Sequence, residues 1–445
     1  MPCDITVKAS LLDEPISIKL SCLPPQKKIR MTLSTIDGCK QVWQSNAVFL
    51  INSQGELVLA SANSLSGTYT GTDPEGLFWS MTPLCDAKTQ SLFPVSGMPS
   101  LTYELHVYQG KICLGEKIFS RAILTEQVER INIQEVKITG TLFLPRHETT
   151  CPGIMMIPGA GGMITLESTA ALLASKGYAV LIMGYYRDKQ LADELYELPL
   201  ERFRDAILWF KSHSCIHPDH VIAMGYSKGA EALLATLAYF PDMSLKGVVL
   251  HAPTHVIWQG MGRGKPRHES SWSLFNEPLS FLAYRTDRLR FTILKKKLLA
   301  VLFPNMSPAF SCLASYKTAL RNKRHEEEAR IPAAQIKTPI LFISGENDCL
   351  WPSSKMAEKM MSELKAAHFP YQSKHLCLPG IGHIIRHPGL PTTVSQIVFG
   401  KLTLEMGGQA QLAARSAQIY WNELFQFIHE MVPNNKTCND THVST

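Results

Sequence analysis

The 445-residue sequence shows no pairing pattern among its eleven cysteines. They are scattered singly, with no C-x-x-C motif and no accompanying histidine cluster, which argues against a disulfide framework and against a zinc site. Unpaired thiols are typical of a reducing compartment. No run of about 18 apolar residues occurs, so we expect no membrane-spanning helix and no integral membrane association.

Targeting signals and strong charge are also missing. The first residues lack the basic and apolar stretches of a signal peptide, and the last are not a Ser-Lys-Leu type signal, so we expect a cytoplasmic protein. Lys and Arg number 44 against 38 Asp and Glu, an excess too small to imply a nucleic-acid partner. An apolar content of 45% is that of an ordinary globular protein, and the length suggests two or three domains.

The motif with the clearest chemistry is G-x-S-x-G at Gly225–Gly229. It follows the short apolar run Val221–Met224 and precedes a proline-free stretch rich in Ala and Leu that begins at Ala230. A strand, a Gly-flanked turn and a helix are the context of a nucleophile elbow, which holds the serine at a strained backbone position. The alternative is a surface serine in a Gly turn, because the motif alone also arises by chance.

Two regions of the chain differ in periodicity. Residues 1–125 contain short alternating or β-branched segments separated by turn residues, which predicts an N-terminal all-β, immunoglobulin-like sandwich. Trp43, Phe78 and Trp79 in that region are expected in a core or an interface. From residue 126 to 432, buried strands alternate with helices, which predicts the doubly wound, mostly parallel sheet of an α/β-hydrolase. Residues 433–445 are expected to form a polar tail.

One stretch, residues 258–337, interrupts this alternation. It holds 15 Lys or Arg against 6 Asp or Glu, a net charge of +9 that leaves −3 for the rest of the chain. We expect a helical lid over the carboxyl edge of the sheet. Either it is an ordinary solvated excursion, or its charge receives a polyanionic substrate. The second interpretation rests on basic residues within the stretch, namely Arg285, Arg288, Lys295, Lys296 and Lys297.

Two later strands lead to the partners that a serine nucleophile requires. The apolar run 339–345 ends just before Asp348, and the short run 375–378 precedes a loop with His383. Loops at the carboxyl ends of parallel strands meet at one edge of the sheet. The chain order serine, acid, histidine is that of α/β-hydrolases. We therefore expect His383 to accept the proton of Ser227 and Asp348 to orient the imidazole.

Other titratable groups compete for these roles. Glu346 is an alternative acid, because it lies two residues before Asp348. His387 precedes a proline in a basic setting and is expected at the surface. His251 and His255 follow a strand near the basic stretch and are expected to be structural histidines rather than substrate contacts.

Two backbone amides are expected to form an oxyanion hole. One is the N–H of Lys228, directly after the serine, and the other is the N–H of Ala160 in the glycine-rich loop Gly159–Gly162. That loop does not match G-x-G-x-x-G, so a nucleotide cofactor is not favoured, and we expect no cofactor and no metal.

Motifs in both regions are similar, in order, to those of one family. They are Gly67–Gly71, Gly76–Trp79, Gly140–Pro145, Cys151–Ile154, Lys176–Val180 with Tyr185-Tyr186, Glu197–Pro199, Gly345–Asp348 with Trp351, Gly382-His383 and Gly407-Gly408. Over nearly its full length the chain resembles the type I acyl-CoA thioesterases and bile acid-CoA:amino acid N-acyltransferases. The resemblance implies an acyl-CoA substrate, hydrolysis through an acyl-enzyme, and a catalytic triad of Ser227, Asp348 and His383.

The chain departs from this family at identifiable positions. Gly229-Ala230-Glu231 stands where the family usually has Gly-Gly-Glu, and much of 258–337 does not match. Members that transfer the acyl group to an amino acid typically carry cysteine as the nucleophile, so Ser227 favours water as the acceptor. An N- or O-acyltransferase, a carboxylesterase or peptidase of the same fold, and an inactive binding scaffold remain alternatives. We expect a monomer or a small homo-oligomer.

Overall fold

The computed structural model describes residues 3–8, 10–85, 90–95, 97–135, 138–146, 150–186, 191–262, 267–284, 286–303, 308–399 and 402–432. At positions 286, 288 and 399 only the backbone is described. Arg285 and the polar tail from residue 433 onward, both named in the sequence analysis, lie outside these ranges.

The N-terminal region consists of antiparallel strands, as its alternating sequence predicts. Every second residue of the long strands is buried, so one face of each sheet packs against the core. The elements are β1 (Asp4–Lys8), β2 (Ser17–Ser21), β3 (Lys28–Ile36), β4 (Val42–Leu50), β5 (Leu57–Val58), β6 (Asn63–Ser64), β7 (Ser66–Gly67), β8 (Gly71–Thr72), α1 (Gly76–Trp79), β9 (Thr82–Pro83), β10 (Ser100–Gln109) and β11 (Ile112–Ala122). One sheet has the order β11-β10-β3-β4-β7 with β9 beside β4, and another has the order β1-β2-β5.

The second region is an α/β-hydrolase fold. Its elements up to the basic stretch are β12 (Val128–Gln134), β13 (Thr139–Pro145), β14 (Cys151–Ile157), α2 (Glu167–Ser175), β15 (Ala179–Gly184), β16 (Leu198–Pro199), α3 (Glu201–Ser212), β17 (Ile216–Tyr226), α4 (Lys228–Tyr239) and β18 (Gly247–His251). The later ones are β19 (Trp272–Leu274), β20 (Glu277–Pro278), α5 (Thr286–Leu302), β21 (Ala309–Phe310), α6 (Leu313–Ala319), α7 (Lys323–Glu328), β22 (Ile340–Gly345), α8 (Ser353–Ala366), β23 (Ser373–Leu378), β24 (Gln396–Phe399), β25 (Leu402–Glu405) and α9 (Ala410–Met431).

The main sheet has the order β12-β13-β15-β14-β17-β18-β22-β23. From β15 to β23 all neighbours are parallel, whereas β12 and β13 pair antiparallel at one edge. Every residue of β15, β18 and β22 is buried, because helices cover both faces of a parallel sheet and its strands are apolar throughout. The predicted fold class is confirmed.

The expectation of a helical lid at 258–337 is only partly right. Helices α5, α6 and α7 lie in this stretch, but so do β19, β20 and β21. β19 pairs with β16, and β21 pairs with β25 in a small second sheet. The stretch is therefore bound to the body of the protein at several points by backbone hydrogen bonds.

The two regions share a packed interface. Trp421 of α9 donates its indole N–H to Asp13 at 2.7 Å, and the same carboxylate lies 3.1 Å from Lys176. The carbonyl of Trp79 accepts the amide of Thr392 at 3.0 Å. Trp79 is thus an interface residue, as expected, and the loop after His383 rests on the N-terminal sandwich.

Within the described ranges, no helix combines the length and the apolar character that crossing a bilayer would require.

Candidate active site

Ser227 lies at the junction of β17 and α4 with φ 53° and ψ −115°. A positive φ at a non-glycine residue is strained and persists only where the surroundings enforce it. The flanking glycines show how. A Cβ at Gly225 would lie 2.7 Å from the Cα of Ala230, and one at Gly229 would lie 2.3 Å from the carbonyl oxygen of Ile157. Strand and helix cross too closely for any side chain there, which confirms the predicted elbow geometry.

Three side chains from distant parts of the chain meet at this elbow. His383 Nε2 lies 2.8 Å from Ser227 Oγ, and His383 Nδ1 lies 2.9 Å from Asp348 Oδ2. We call these three residues the triad. With Nδ1–H donated to the carboxylate, Nε2 carries a lone pair that can accept the proton of the serine hydroxyl.

Asp348 is held in one orientation. Its Oδ1 accepts the amides of Leu350 at 2.8 Å and Trp351 at 3.1 Å, and its Oδ2 also accepts the hydroxyl of Ser353 at 2.7 Å. Its side chain and that of His383 are almost fully buried. The carboxylate therefore fixes the imidazole from a site that water does not reach, which is the geometric role expected of the acid in such a triad.

The competing groups lie elsewhere. Glu346 is exposed and makes no hydrogen bond to His383. The expectation of a surface position for His387 is wrong, because that residue is buried. Its Nε2 lies 2.9 Å from Ser168 Oγ and its Nδ1 2.8 Å from the carbonyl of Pro388. Burial lowers the pKa of His387 to about 3.

His251 and His255 are buried structural residues, as predicted. His251 stacks on Tyr226 with ring centroids 4.0 Å apart and has its Nε2 3.0 Å from the hydroxyl of Tyr420. Burial lowers its pKa to about 3. His255 Nε2 lies 2.8 Å from a carboxylate oxygen of Glu326 in α7, and burial lowers the pKa of His255 to about 4. His255 thereby joins the basic stretch to the main sheet.

The predicted oxyanion donors flank Ser227. Lys228 begins α4, where the helix offers no internal acceptor for its amide. On the other side, a Cβ at Gly159 would lie only 3.2 Å from the Cβ of Ser227, so the loop that contains Ala160 passes directly beside the serine. The hydroxyl of Tyr185 donates to the carbonyl of Pro158 at 2.8 Å and anchors the start of this loop.

A buried ion pair that was not predicted from the sequence lies behind the elbow. Lys228 Nζ lies 2.8 Å from both carboxylate oxygens of Glu231 and donates to Ser271 at 2.6 Å. The same carboxylate accepts the amide of Trp258 at 3.0 Å and the indole of Trp272 at 2.9 Å. Burial lowers the pKa of Lys228 and raises the pKa of Glu231, each against the opposing charge of its partner. The i,i+3 spacing of two charges in an otherwise apolar helix was the available signal.

Two known families of protein regions match most of the chain. Residues 13–135 match the family described as "Acyl-CoA thioester hydrolase/BAAT N-terminal region", and residues 198–434 match "BAAT / Acyl-CoA thioester hydrolase C terminal". The chain belongs to this family.

Relatives of this chain are named for two different activities. Mouse acyl-coenzyme A thioesterase 5 is 28% identical over 436 residues, which cover 96% of each chain. Rat acyl-coenzyme A amino acid N-acyltransferase 2 is 29% identical over 439 residues, again 96% of each chain. A solved structure, esterase B from Lactobacillus Rhamnosis, is 14% identical, with a TM-score of 0.38, over 69% of this chain and 87% of that one. The identities alone do not separate hydrolysis from acyl transfer.

Part of the basic stretch packs against Trp351, which in turn contacts the triad histidine. The rings of Trp351 and His383 pack edge to face with centroids 5.5 Å apart, and Tyr316 of α6 packs on Trp351 at 5.7 Å. Trp258 packs against both of these rings, with its centroid 4.7 Å from that of Tyr316 and 6.5 Å from that of Trp351. These rings form an apolar wall beside the imidazole, which limits access of water to that side of His383.

The basic residues assigned to substrate binding lie on a different part of the stretch. Lys295 and Lys297 of α5 are exposed and Lys296 is half-buried. Helix α5 contacts β21, α6 and β25, and none of these elements contains a triad residue. Arg285 and the side chain of Arg288 lie outside the described part of the structure, so their role stays a prediction.

Proposed function

We propose that this protein is an acyl-CoA thioesterase, a serine hydrolase that converts an acyl-CoA thioester and water to a free fatty acid and CoA. The observation that carries the proposal is the pair of contacts Ser227–His383 and His383–Asp348, at 2.8 and 2.9 Å, on a strained elbow. Membership of a family that includes acyl-CoA thioesterases supports the substrate class.

In the first half-reaction, Ser227 Oγ attacks the thioester carbonyl while its proton passes to His383 Nε2. Asp348 stabilises the imidazolium through the bond to Nδ1–H. In this proposal the tetrahedral oxyanion accepts the amides of Lys228 and Ala160, which stabilise the negative charge as it develops. When the carbon–sulfur bond breaks, His383 returns the proton to the CoA thiolate, and an acyl ester on Ser227 remains.

In the second half-reaction, water attacks the ester carbonyl. His383 accepts a proton from the water and gives it to Ser227 Oγ as the ester bond breaks, so the fatty acid leaves and the triad returns to its starting state. The aromatic wall of Trp351 and Tyr316 leaves one side of the imidazole dry, so water must approach from the side that CoA has vacated.

For the CoA phosphates we propose electrostatic attraction by the basic stretch, with Arg285, Arg288 and Lys295–Lys297 as its contributors. A positive patch raises the association rate of a polyanion, and salt weakens that effect. The free thiols at the ten described cysteines support a reducing compartment, for which the cytoplasm is our proposal.

Acyl transfer to an amino acid is the second candidate, favoured by the full-length similarity to N-acyltransferases. The two functions differ in the acceptor that resolves the acyl-enzyme. The experiment is a panel of acyl-CoA esters from short to long chains, run with and without amino acids, with products identified by mass spectrometry. Free fatty acid as the product in all reactions supports the thioesterase, whereas an N-acyl amino acid as the main product refutes it.

Simple esters belong in the same panel. A carboxylesterase would cleave them at rates equal to those of CoA thioesters, and an inactive scaffold would cleave neither and would resist a fluorophosphonate probe. For the thioesterase we expect a clear preference for CoA esters, because only these carry the phosphates that a basic surface attracts.

A further inference from the structure

Helix α5 exposes a row of large apolar side chains. Phe291, Leu294, Leu298, Val301 and Leu302 each have between 58% and 71% of their surface exposed. Their spacing of three, four, three and one residues places all five within an arc of about 100° around the helix axis. Contiguous apolar surface of this kind marks an interaction site, whereas single exposed apolar residues need no explanation.

Basic residues border this stripe on both sides. Arg290 and Lys297 lie along one edge and Lys295 along the other, and all three are exposed. Within the described ranges none of them forms an ion pair. Other cations of the basic stretch do, since Lys323 pairs with Glu326 and Arg324 with Glu328.

The opposite side of α5 holds the helix on the protein. Leu289, Ile293 and Ala300 are half-buried there, and α5 contacts β21, α6 and β25. After β25 comes Met406, whose carbonyl accepts the amide of His383 at 2.7 Å. The stripe therefore faces away from the body of the protein, on a helix that packs against β25, the strand just before Met406.

We propose that the exposed stripe of α5 is a membrane-surface anchor, which inserts among the headgroups of a bilayer that contains anionic lipid. The exposed face of α5, an apolar stripe bordered by Lys and Arg, suits this environment, while the opposite face is occupied by the protein itself. The apolar side chains enter the boundary of the acyl chains, and the basic groups extend outward to lipid phosphates.

The charge pattern selects lipid over a second copy of the chain. Two such stripes packed together would bring the cations at their borders face to face, and like charges across an interface are unfavourable. The one acidic residue within α5, Asp287, lies in the first turn and already has a partner. Anionic headgroups supply the missing negative charge. The inference shares Lys295 and Lys297 with the CoA attraction proposed above, but its failure is distinguishable from that of the proposed function, because vesicle binding requires neither CoA nor turnover.

The test is co-sedimentation of the full-length protein with phosphatidylcholine vesicles prepared with and without phosphatidylserine. The protein should bind the vesicles that contain phosphatidylserine, and more weakly as salt rises. Leu294→Ser combined with Leu298→Ser should lower the partition coefficient at least tenfold, because two apolar side chains no longer leave water on binding. Lys295→Gln combined with Lys297→Gln should lower it by about tenfold or more.

A matched control is Ile112→Ser combined with Ile118→Ser. These side chains on β11 are each 67% exposed, so the change in hydrophobicity is equal, and vesicle binding should stay at the wild-type value. Circular dichroism verifies the fold of each variant. Absence of binding by the wild type, or equal binding by the stripe variant and the control, would overturn the proposal. A third outcome would also overturn it. If the wild type is a dimer in analytical ultracentrifugation, binds no vesicles, and becomes a monomer in the stripe variant, then the stripe joins two copies of the chain.

Discussion

Replacing Glu231 by glutamine should destabilise the protein strongly, although the change removes no atoms from the core. The carboxylate is fully buried and accepts the ammonium of Lys228, the amide of Trp258 and the indole of Trp272. Glutamine keeps one carbonyl oxygen for the two tryptophan donors. It cannot neutralise Lys228, whose side chain is 1% exposed, so the ammonium is left buried without a counter-ion.

Removing one partner of a buried ion pair costs about 3–5 kcal/mol, and the retained hydrogen bonds put Glu231→Gln near the lower end, at about 3 kcal/mol. Lys228→Met should cost a similar amount, because it leaves a buried carboxylate. The double variant should be less destabilised than the sum of the single variants by about 2 kcal/mol or more, since it contains no unpaired charge. Urea unfolding of the four proteins at neutral pH gives these differences.

Activity gives an independent measurement on the same variants. The amide of Lys228 begins α4, so a shift of this residue moves a proposed oxyanion donor, and kcat should fall more than KM changes. The reasoning is refuted if Glu231→Gln unfolds within about 0.5 kcal/mol of the wild type, or if the single effects add without coupling.

Three further predictions concern other parts of the molecule. Burial lowers the pKa of His251 and His387 to about 3, so as pH falls below about 6.5 the unfolded chain takes up protons first, and stability is lost down to about pH 3. Between pH 7 and pH 5 the free energy of unfolding should fall by about 2 kcal/mol per histidine. Equal free energies of unfolding in urea at the two pH values would contradict this. Gly229→Ala should abolish most activity, because its Cβ would lie 2.3 Å from a backbone oxygen; a kinetic assay that finds wild-type kcat would show that the elbow is more tolerant than its contacts imply. Lys295→Gln with Lys297→Gln should raise KM for a short, water-soluble acyl-CoA and weaken its salt dependence, with no change for an uncharged ester. An equal change in KM for both substrates would contradict a role of these two lysines in attracting CoA.

The elbow and the sheet could be predicted because their signals are local. Where strands and helices alternate along the chain, a short apolar run such as that of β22 indicates a strand buried on both faces. The two glycines beside Ser227 are required by backbone atoms that lie a few residues away or in the adjacent strand. The acid and the histidine each follow a strand of the sheet, and loops that follow parallel strands lie at the same edge of the sheet.

What the sequence did not reveal depends on partners that are distant in the chain. His387 looks like a surface residue next to a proline, but Ser168, 219 residues earlier, satisfies its second ring nitrogen and permits burial. The strands β24 and β25 were also missed, since they are short and pair partly with β21 from the basic stretch. Nothing local predicts such contacts.

The central claim is that Ser227 carries the acyl group during turnover, and the most direct measurement is the mass of the protein quenched in acid shortly after mixing with an acyl-CoA ester. The account predicts one added acyl group that peptide mapping assigns to Ser227, with an equal amount of CoA released. Ser227→Ala should show no adduct and a kcat lower by about three orders of magnitude or more. Acylation of another residue, or turnover by Ser227→Ala at the wild-type rate, would contradict it.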